Sequence, residues 1–182
     1  MGEISRPKSA LALIAAFSRH EAALEWAEQK LTSRWGAAAL KSAAFRFDAT
    51  DYYEASMGPG LRKQFWVFEQ LADPGALADW KLAANQWEKE FAEIAGHDEP
   101  RPLNIDPGYL TLGKLVLAST KDHAHRIYLR DGIYAETTLY YKDKQWQARE
   151  WTFADYRRED YHAFFDQCRE FLKQRLRKEP RA

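Results

Sequence analysis

One stretch of this chain combines an apolar pattern with many polar side chains. Residues 101–129 read RPLNIDPGYLTLGKLVLASTKDHAHRIYL, and Pro107-Gly108 marks a bend within them. Polar groups threaded through an apolar run each need a partner or a ligand, because burying one unpaired costs several kcal/mol at the upper end. The stretch is therefore the best candidate for a functional site. Its polar members are Asn104, Asp106, Lys114, Lys121, Asp122, His123, His125 and Arg126.

Composition limits the class of protein. The chain has 182 residues, which fits a single domain over residues 1–182, and 14% of them are aromatic. Lys+Arg and Asp+Glu both number 27, so the net charge of zero gives no broad attraction to nucleic acid or lipid. The single cysteine, Cys168, excludes an internal disulfide and fits a reducing compartment. No apolar run is long enough to span a bilayer, so we expect a cytoplasmic protein.

The first part of the chain predicts a βαββαβ order. Residues 9–17 are an almost continuous apolar run, typical of a strand buried on both faces. A helix follows, with Ser18 as its predicted cap and Gly36 as its end. Strands are predicted at 43–47 and 65–68, a second helix from Asp73-Pro74 to Gly96, and a short strand at 103–106. This order is that of a ferredoxin-like unit, which we expect to span residues 1–107.

The remaining residues, 108–182, predict two β-hairpins and a closing amphipathic helix. A three-residue loop at 130–132 would pair Leu129 with Ile133, Ile127 with Ala135, Tyr128 with Tyr134 and His125 with Thr137. The same register places Arg126 opposite Glu136. Asp143-Lys144 turns the second hairpin, with Trp146 opposite Tyr141. The predicted fold class is α+β: a ferredoxin-like core with this extension.

Residues 108–115, GYLTLGKL, match the first seven positions of the phosphate-binding loop G-x-x-x-x-G-K-[ST]. That loop needs small residues that let backbone N–H groups surround phosphate, and a hydroxyl that holds Mg²⁺. Leu115 removes the hydroxyl and bulky residues fill the loop. A true phosphate loop is therefore the weakest of the interpretations, although Lys114 can contact an anion in another way.

His123 and His125 stand two residues apart, on one side of a predicted strand. This spacing suits a metal, but a catalytic zinc site needs three protein ligands and the sequence shows no third. We favour partly buried, hydrogen-bonded histidines and predict no metal site. Either imidazole remains a candidate for acid–base chemistry.

Two further groups of polar residues are candidates for ligand contact. On the predicted hairpin, Arg126 and Glu136 lie between Tyr128 and Tyr134, where they orient a ligand or form an internal polar layer. Residues 48–54 form the second group, read either as paired carboxylates or as a helix cap. The topology puts Asp48 and Asp106 at the same edge of the sheet, roughly 14 Å apart at ordinary strand spacing.

Five motifs in one order resemble the bacterial domain-of-unknown-function 4416 family. They are FDATDYYEASMG at 47–58, NIDPGYL at 104–110, KDHAHRIYL at 121–129, GIYAE at 132–136 and EWT at 150–152. The resemblance covers nearly the whole chain. It implies no established activity, cofactor or catalytic residue. Some members carry a GTP-binding description, which the partial match at 108–115 would explain.

The leading hypothesis is a domain that binds an anionic ligand, such as a nucleotide or an RNA end. In a stronger form of this hypothesis the domain also catalyses a reaction of that ligand. The candidate catalytic residues are His123, His125, Asp106 and Glu136. The candidate ligand-binding residues are Asp48, Asp51, Tyr52, Asn104, Lys114, Lys121, Arg126, Tyr128 and Tyr134. The alternative is a non-catalytic interaction or structural module whose polar layer only fixes the strand register. The sequence does not indicate a cofactor.

Overall fold

The computed structural model describes residues 3–4, 7–50 and 52–178. Within these ranges the chain forms one nine-stranded antiparallel sheet and four helices, which confirms the α+β class. The strands are β1 (Leu11–Ser18), β2 (Ala38–Lys41), β3 (Phe45–Arg46), β4 (Arg62–Phe68), β5 (Asn104–Leu110), β6 (Lys114–Ser119), β7 (Ile127–Arg130), β8 (Ile133–Lys142) and β9 (Gln145–Ala148). The helices are α1 (Glu21–Trp35), α2 (Glu54–Met57), α3 (Leu77–Ala95) and α4 (Glu159–Lys178). No helix in the described ranges is both long and apolar enough to cross a membrane.

The strand order is β2-β4-β1-β5-β6-β8-β7, with β3 beside β4 and β9 beside β8. All eight residues of β1 are buried, as the apolar run predicted. The order β2-β4-β1-β5 is compatible with the ferredoxin-like interpretation of this part, which stays an interpretation. The boundary suggested at residue 107 falls inside β5, so the sheet runs through it without a break.

Helices cover both faces of the sheet because successive strand residues point to opposite sides. On one face α1 and α3 pack against the sheet through Leu24, Leu31, Trp80, Phe91, Ile14 and Trp66. On the other, α4 packs through Tyr161, Phe165, Leu172, Leu13, Phe65 and Leu139. The closing helix therefore covers the centre of the sheet as well as the hairpin strands.

Of the predicted strand at 43–47, only Phe45–Arg46 form a strand, β3, and β2 at Ala38–Lys41 was not predicted. The Ser42 hydroxyl accepts the N–H of Phe65 at 2.9 Å, where a regular ladder would present a backbone carbonyl. Ser18 is also not the cap of α1. Its hydroxyl accepts the N–H of His20 at 3.0 Å and donates to the carbonyl of Pro102 at 2.6 Å, so it joins the end of β1 to the start of β5.

The hairpin registers are largely as predicted. Ile127 pairs with Ala135, Tyr128 with Tyr134, and Tyr141 with Trp146. The predicted pair of Leu129 with Ile133 is wrong, because the register shifts after Tyr128 and Ile133 pairs with Arg130. The predicted pair of His125 with Thr137 is wrong, because residues 123–126 form a turn closed by an Arg126 N–H to His123 carbonyl bond and β7 begins only at Ile127.

Residues 108–115 form no phosphate loop. Residues 108–110 lie in β5, and the chain turns at 111–113 into β6, with no helix after it. A Cβ atom on Gly108 would lie 2.4 Å from the carbonyl oxygen of Val116. Glycine is therefore required here by the close approach of β5 and β6.

We expect Gly108→Ala to lower the free energy of unfolding by about 1–3 kcal/mol, since one of the two strands must move away from the added methyl group. Urea denaturation measures the loss. Gly113→Ala is the matched control, because a Cβ there meets nothing within 4 Å. Equal stability of the two variants would contradict the close β5–β6 contact.

Candidate functional site

The sheet opens between β5 and β6. Their ladder runs only from the Leu110–Leu115 pair to the Gly108–Leu117 pair, although β5 continues back to Asn104. Helix α3 supplies the missing backbone partners. The N–H of Ile105 donates to Glu88 Oε1 at 2.7 Å, and its carbonyl accepts from Lys81 Nζ at 2.8 Å. Since buried backbone groups need partners, these two side chains let the strands part without a penalty.

A cavity of about 510 Å³ lies at this opening, within the range of roughly 300–1,000 Å³ typical of small-molecule sites. Its cationic lining is Lys63, Lys81, Arg101, Lys121 and Arg126, and its acidic lining is Asp106, Glu136 and Asp155. The aromatic lining is Phe47, Tyr52, Tyr53, Phe153 and Tyr156. Cations thus outnumber carboxylates on the wall.

An almost fully buried ion pair joins β4 to the turn before α4. Lys63 Nζ lies 2.6 Å from Asp155 Oδ2, and the two side chains are only 4% and 5% exposed. The ammonium also lies 4.4 Å from the ring centre of Phe47 and 4.9 Å from that of Tyr156. The charge is therefore held by one carboxylate and by the faces of aromatic rings.

A second ion pair joins α3 to β5. Lys81 Nζ lies 3.2 Å from Asp106 Oδ1, and the Asn104 amide donates to the other oxygen of Asp106 at 2.7 Å. Arg101 donates to the side chains of Asn104 and Glu88. Burial alone would raise the pKa of Asp106, but the charges of Lys81 and Lys63 outweigh it and hold this pKa below its usual range. Asp106 is therefore an anion at neutral pH.

Glu136 is the centre of the third group and is almost fully buried. It accepts from Arg126 Nε at 2.7 Å and from the Thr138 hydroxyl at 3.1 Å, and His125 Nε2 lies 3.1 Å away. Arg126 also donates to the Ser119 hydroxyl at 2.6 Å. Its guanidinium is thereby fixed where β6 ends.

At the mouth of the cavity, Lys121 Nζ donates to the Tyr52 hydroxyl at 2.9 Å and lies over the Tyr52 ring. This hydrogen bond, together with the lysine charge, lowers the pKa of Tyr52. Among the described residues, no carboxylate lies within ion-pair distance of Lys121. Of the cations on the described part of the cavity wall, Lys121 therefore has the least neutralised charge.

Several residues predicted from the sequence meet here. Those that line the cavity are Tyr52, Asn104, Asp106, Lys121, His123, Arg126 and Glu136. His125 lies behind them, with its ring stacked on those of His123 and Trp151. Within the described part of the chain, the two histidines belong to no group of three metal-ligating side chains whose ligand atoms all lie within 4.8 Å of one another.

Four predicted ligand-binding residues lie elsewhere. Asp48 pairs with Arg46 at 2.9 Å and is exposed to solvent. Lys114 is exposed at the start of β6, whereas the cavity lies at the opposite end of that strand. Tyr128 and Tyr134 contact each other across the β7–β8 hairpin, beyond the cavity wall. Asp51, also predicted, falls outside the described residues.

Sequence reasoning missed Lys63, Lys81, Arg101, Asp155 and the buried Tyr156. A signal was present for two of them. Lys63 occupies an inward position of a strand whose following residues on that face are Phe65 and Val67. Lys81 falls on the apolar side of α3, where Leu77 and Ala84 are buried. A lone lysine on a buried face indicates a partner or a cavity beneath it.

The comparisons with known proteins give a family and no activity. A family model described as "Domain of unknown function (DUF4416)" matches residues 8–171. No curated protein and no solved structure matches the chain.

Removing one partner of the Lys63–Asp155 pair leaves the other charge buried and unpaired. We expect Lys63→Met to lower the free energy of unfolding by about 3–5 kcal/mol. We expect the double variant Lys63→Met/Asp155→Leu to lose much less than the sum of the two single changes. Urea denaturation of the wild type, Lys63→Met, Asp155→Leu and the double variant completes this double-mutant cycle. Strictly additive losses would show that the two charges do not interact.

The lowered pKa of Asp106 predicts a pH-dependent contribution to stability. Its ionised form is favoured in the folded state, so the contribution is complete above the unfolded pKa of about 3.9 and disappears as pH falls through the folded value. We expect the stability difference between the wild type and Asp106→Asn to be constant above about pH 5 and to shrink below about pH 4. Urea titrations of both proteins above pH 5 and below pH 4 measure this difference in the free energy of unfolding. A pH-independent difference is the contrary result.

Proposed function

The chain belongs to the domain-of-unknown-function 4416 family, and we propose that it binds a small anionic molecule of nucleotide size in the cavity between β5 and β6. The excess of cations over carboxylates on the cavity wall is the observation that carries the proposal. A ligand with a phosphate or carboxylate group would balance that charge.

The paired cations are suited to orienting such a group. Lys63, Lys81 and Arg126 are each held by a carboxylate, so little side-chain entropy is lost when they donate to a ligand. Lys121 lies at the mouth, where an incoming anion would meet it first. This division gives one accessible charge for capture and three fixed charges for orientation.

The aromatic lining favours a ligand that also carries a planar ring. Tyr52 and Phe153 are both exposed and line the same cavity as the cations. Rings of this kind stack on bases, while the cations contact phosphate. A mononucleotide combines both features, and a terminal nucleotide of RNA presents the same chemistry.

A chemical step, if the ligand undergoes one, falls to His123. Asp106 and Glu136 are both engaged as ion-pair partners, and His125 lies behind the wall against Glu136. His123 lines the cavity and is exposed, so its imidazole can reach a ligand. Binding is the primary proposal and catalysis its extension. A cytoplasmic location, suggested by the single cysteine, belongs to the same proposal.

A specific observation favours the non-catalytic interaction module as the second candidate. All four residues of β7, at the end of the sheet, are exposed, including Ile127, Tyr128 and Leu129. Exposed apolar residues on an edge strand are suited to contact with another chain. This alternative predicts that no small anion stabilises the protein.

Thermal unfolding with a panel of ligands tests the binding proposal. The panel is inorganic phosphate, AMP, GTP, ribose 5-phosphate and a 5′-phosphorylated oligoribonucleotide. We expect at least one nucleotide to stabilise the protein, by about 2.7 kcal/mol at 100 times its dissociation constant. A response to the oligonucleotide but not to mononucleotides would instead indicate an RNA end.

Two lysine variants locate the binding. We expect Lys121→Met to weaken the response roughly tenfold or more in affinity, as loss of a charged hydrogen bond implies. Lys114→Met is the matched control, since it removes the same charge from the far end of β6. The proposal fails if no panel member stabilises the wild type, or if both variants lose affinity equally.

A further inference from the structure

Outside the cavity, three side chains with metal-binding atoms meet where β1 passes into α1. His20 is the residue before α1, His97 follows the glycine that ends α3, and Glu99 comes two residues later. Their ligand atoms all lie within 4.8 Å of one another. From this geometry we propose that His20, His97 and Glu99 bind a divalent transition metal ion such as Zn²⁺.

The distances suit a metal of this size. His20 Nε2 lies 3.2 Å from Glu99 Oε2, and two ligands of a tetrahedral zinc ion at about 2.0–2.1 Å from the metal are themselves roughly 3.3 Å apart. The two residues are separated by 79 positions in the chain, so the fold brings them together. Both side chains are partly exposed, which gives an ion access from solvent.

The donor set indicates which metals fit. Two imidazole nitrogens and one carboxylate oxygen favour zinc, nickel, cobalt or copper over magnesium and calcium, which prefer oxygen ligands throughout. Three protein ligands leave further positions open for water. Glu99 Oε1 accepts from Arg19 at 2.9 Å, so the carboxylate keeps its orientation while Oε2 faces the site.

One movement is required for binding. The rings of His20 and His97 are stacked, with centres 3.7 Å apart and planes at 10°. Parallel rings do not aim their nitrogens at one point, so His97 must turn toward Glu99. It lies just after Gly96, which adopts a left-handed conformation at the end of α3, and it belongs to a short connection outside any helix or strand. A rotation there disturbs no ladder or helix.

The site also lies on the segment that leads into the cavity. Two residues beyond Glu99, Arg101 lines the cavity wall, and its N–H donates to the carbonyl of Ser56. A metal ion at Glu99 would fix this segment at one end. The metal site does not depend on the proposed ligand, because none of its three residues lines the cavity.

Binding of Zn²⁺ to the full chain, measured by competition with a chromophoric chelator, tests the proposal. We expect one zinc ion per chain, and a rise in the unfolding temperature in excess zinc. His97→Ala should weaken binding at least tenfold, and His123→Ala, which removes a histidine from the cavity instead, should leave it unchanged. Co²⁺ in the wild type should give visible absorption bands that His97→Ala abolishes.

Three results would overturn the proposal: no zinc binding tighter than millimolar, equal loss in both histidine variants, or loss only in His123→Ala. Circular dichroism and metal-free unfolding of His97→Ala show that the variant is folded. Repeating the ligand panel with metal-free His97→Ala tests ligand binding in the cavity independently of the metal site. An unchanged nucleotide response there leaves the cavity proposal standing whatever the zinc result.

Discussion

The ion pair between Lys63 and Asp155 joins strand β4 to the turn that precedes α4. It is almost completely buried and is enclosed by the rings of Phe47 and Tyr156. Buried pairs contribute little net stability compared with apolar residues, but breaking one is strongly destabilising. The pair therefore serves to fix position. It holds residues 155–157 against the sheet and so sets one wall of the cavity.

The opposite wall of the cavity depends on where the hydrogen-bonded pairing of β5 with β6 ends. Gly108 allows β5 to approach β6 closely, and beyond that point the two strands pair only with their outer neighbours. Lys81 and Glu88 then take the backbone groups of Ile105 that a strand would otherwise pair. Lys81 thus both stabilises the opening and adds positive charge to the cavity wall. The opening between β5 and β6 and part of its positive charge therefore depend on the same lysine.

The sequence predicted what depends on local pattern. Periodicity placed β1, α3 and α4, and turn chemistry placed two hairpin registers, because these signals lie within a few residues. Several polar residues of 104–126 line the cavity, and their density in one stretch is what marked them as candidates. Tyr128 and Tyr134 were predicted with them but lie outside the cavity lining, since a correct register does not show where a cavity ends.

The missed residues depend on contacts between distant segments. Lys63 and Asp155 are 92 positions apart, and no pattern in a single sequence links them. His20 and Glu99 are a similar case, for a histidine before a helix and a glutamate in a loop are unremarkable until the fold joins them. A charged residue on an otherwise apolar face was the one local indication, and it points to burial without naming the partner.

The most direct test of the account is to observe where an anion binds. Titration of the ¹⁵N-labelled protein with inorganic pyrophosphate, followed by two-dimensional amide spectra, reports this residue by residue. We predict saturable shifts centred on residues 104–106 and 118–121, where the sheet opens, with β7 unaffected. Shifts confined to β7 or α4, or no saturable shift at all, would contradict it.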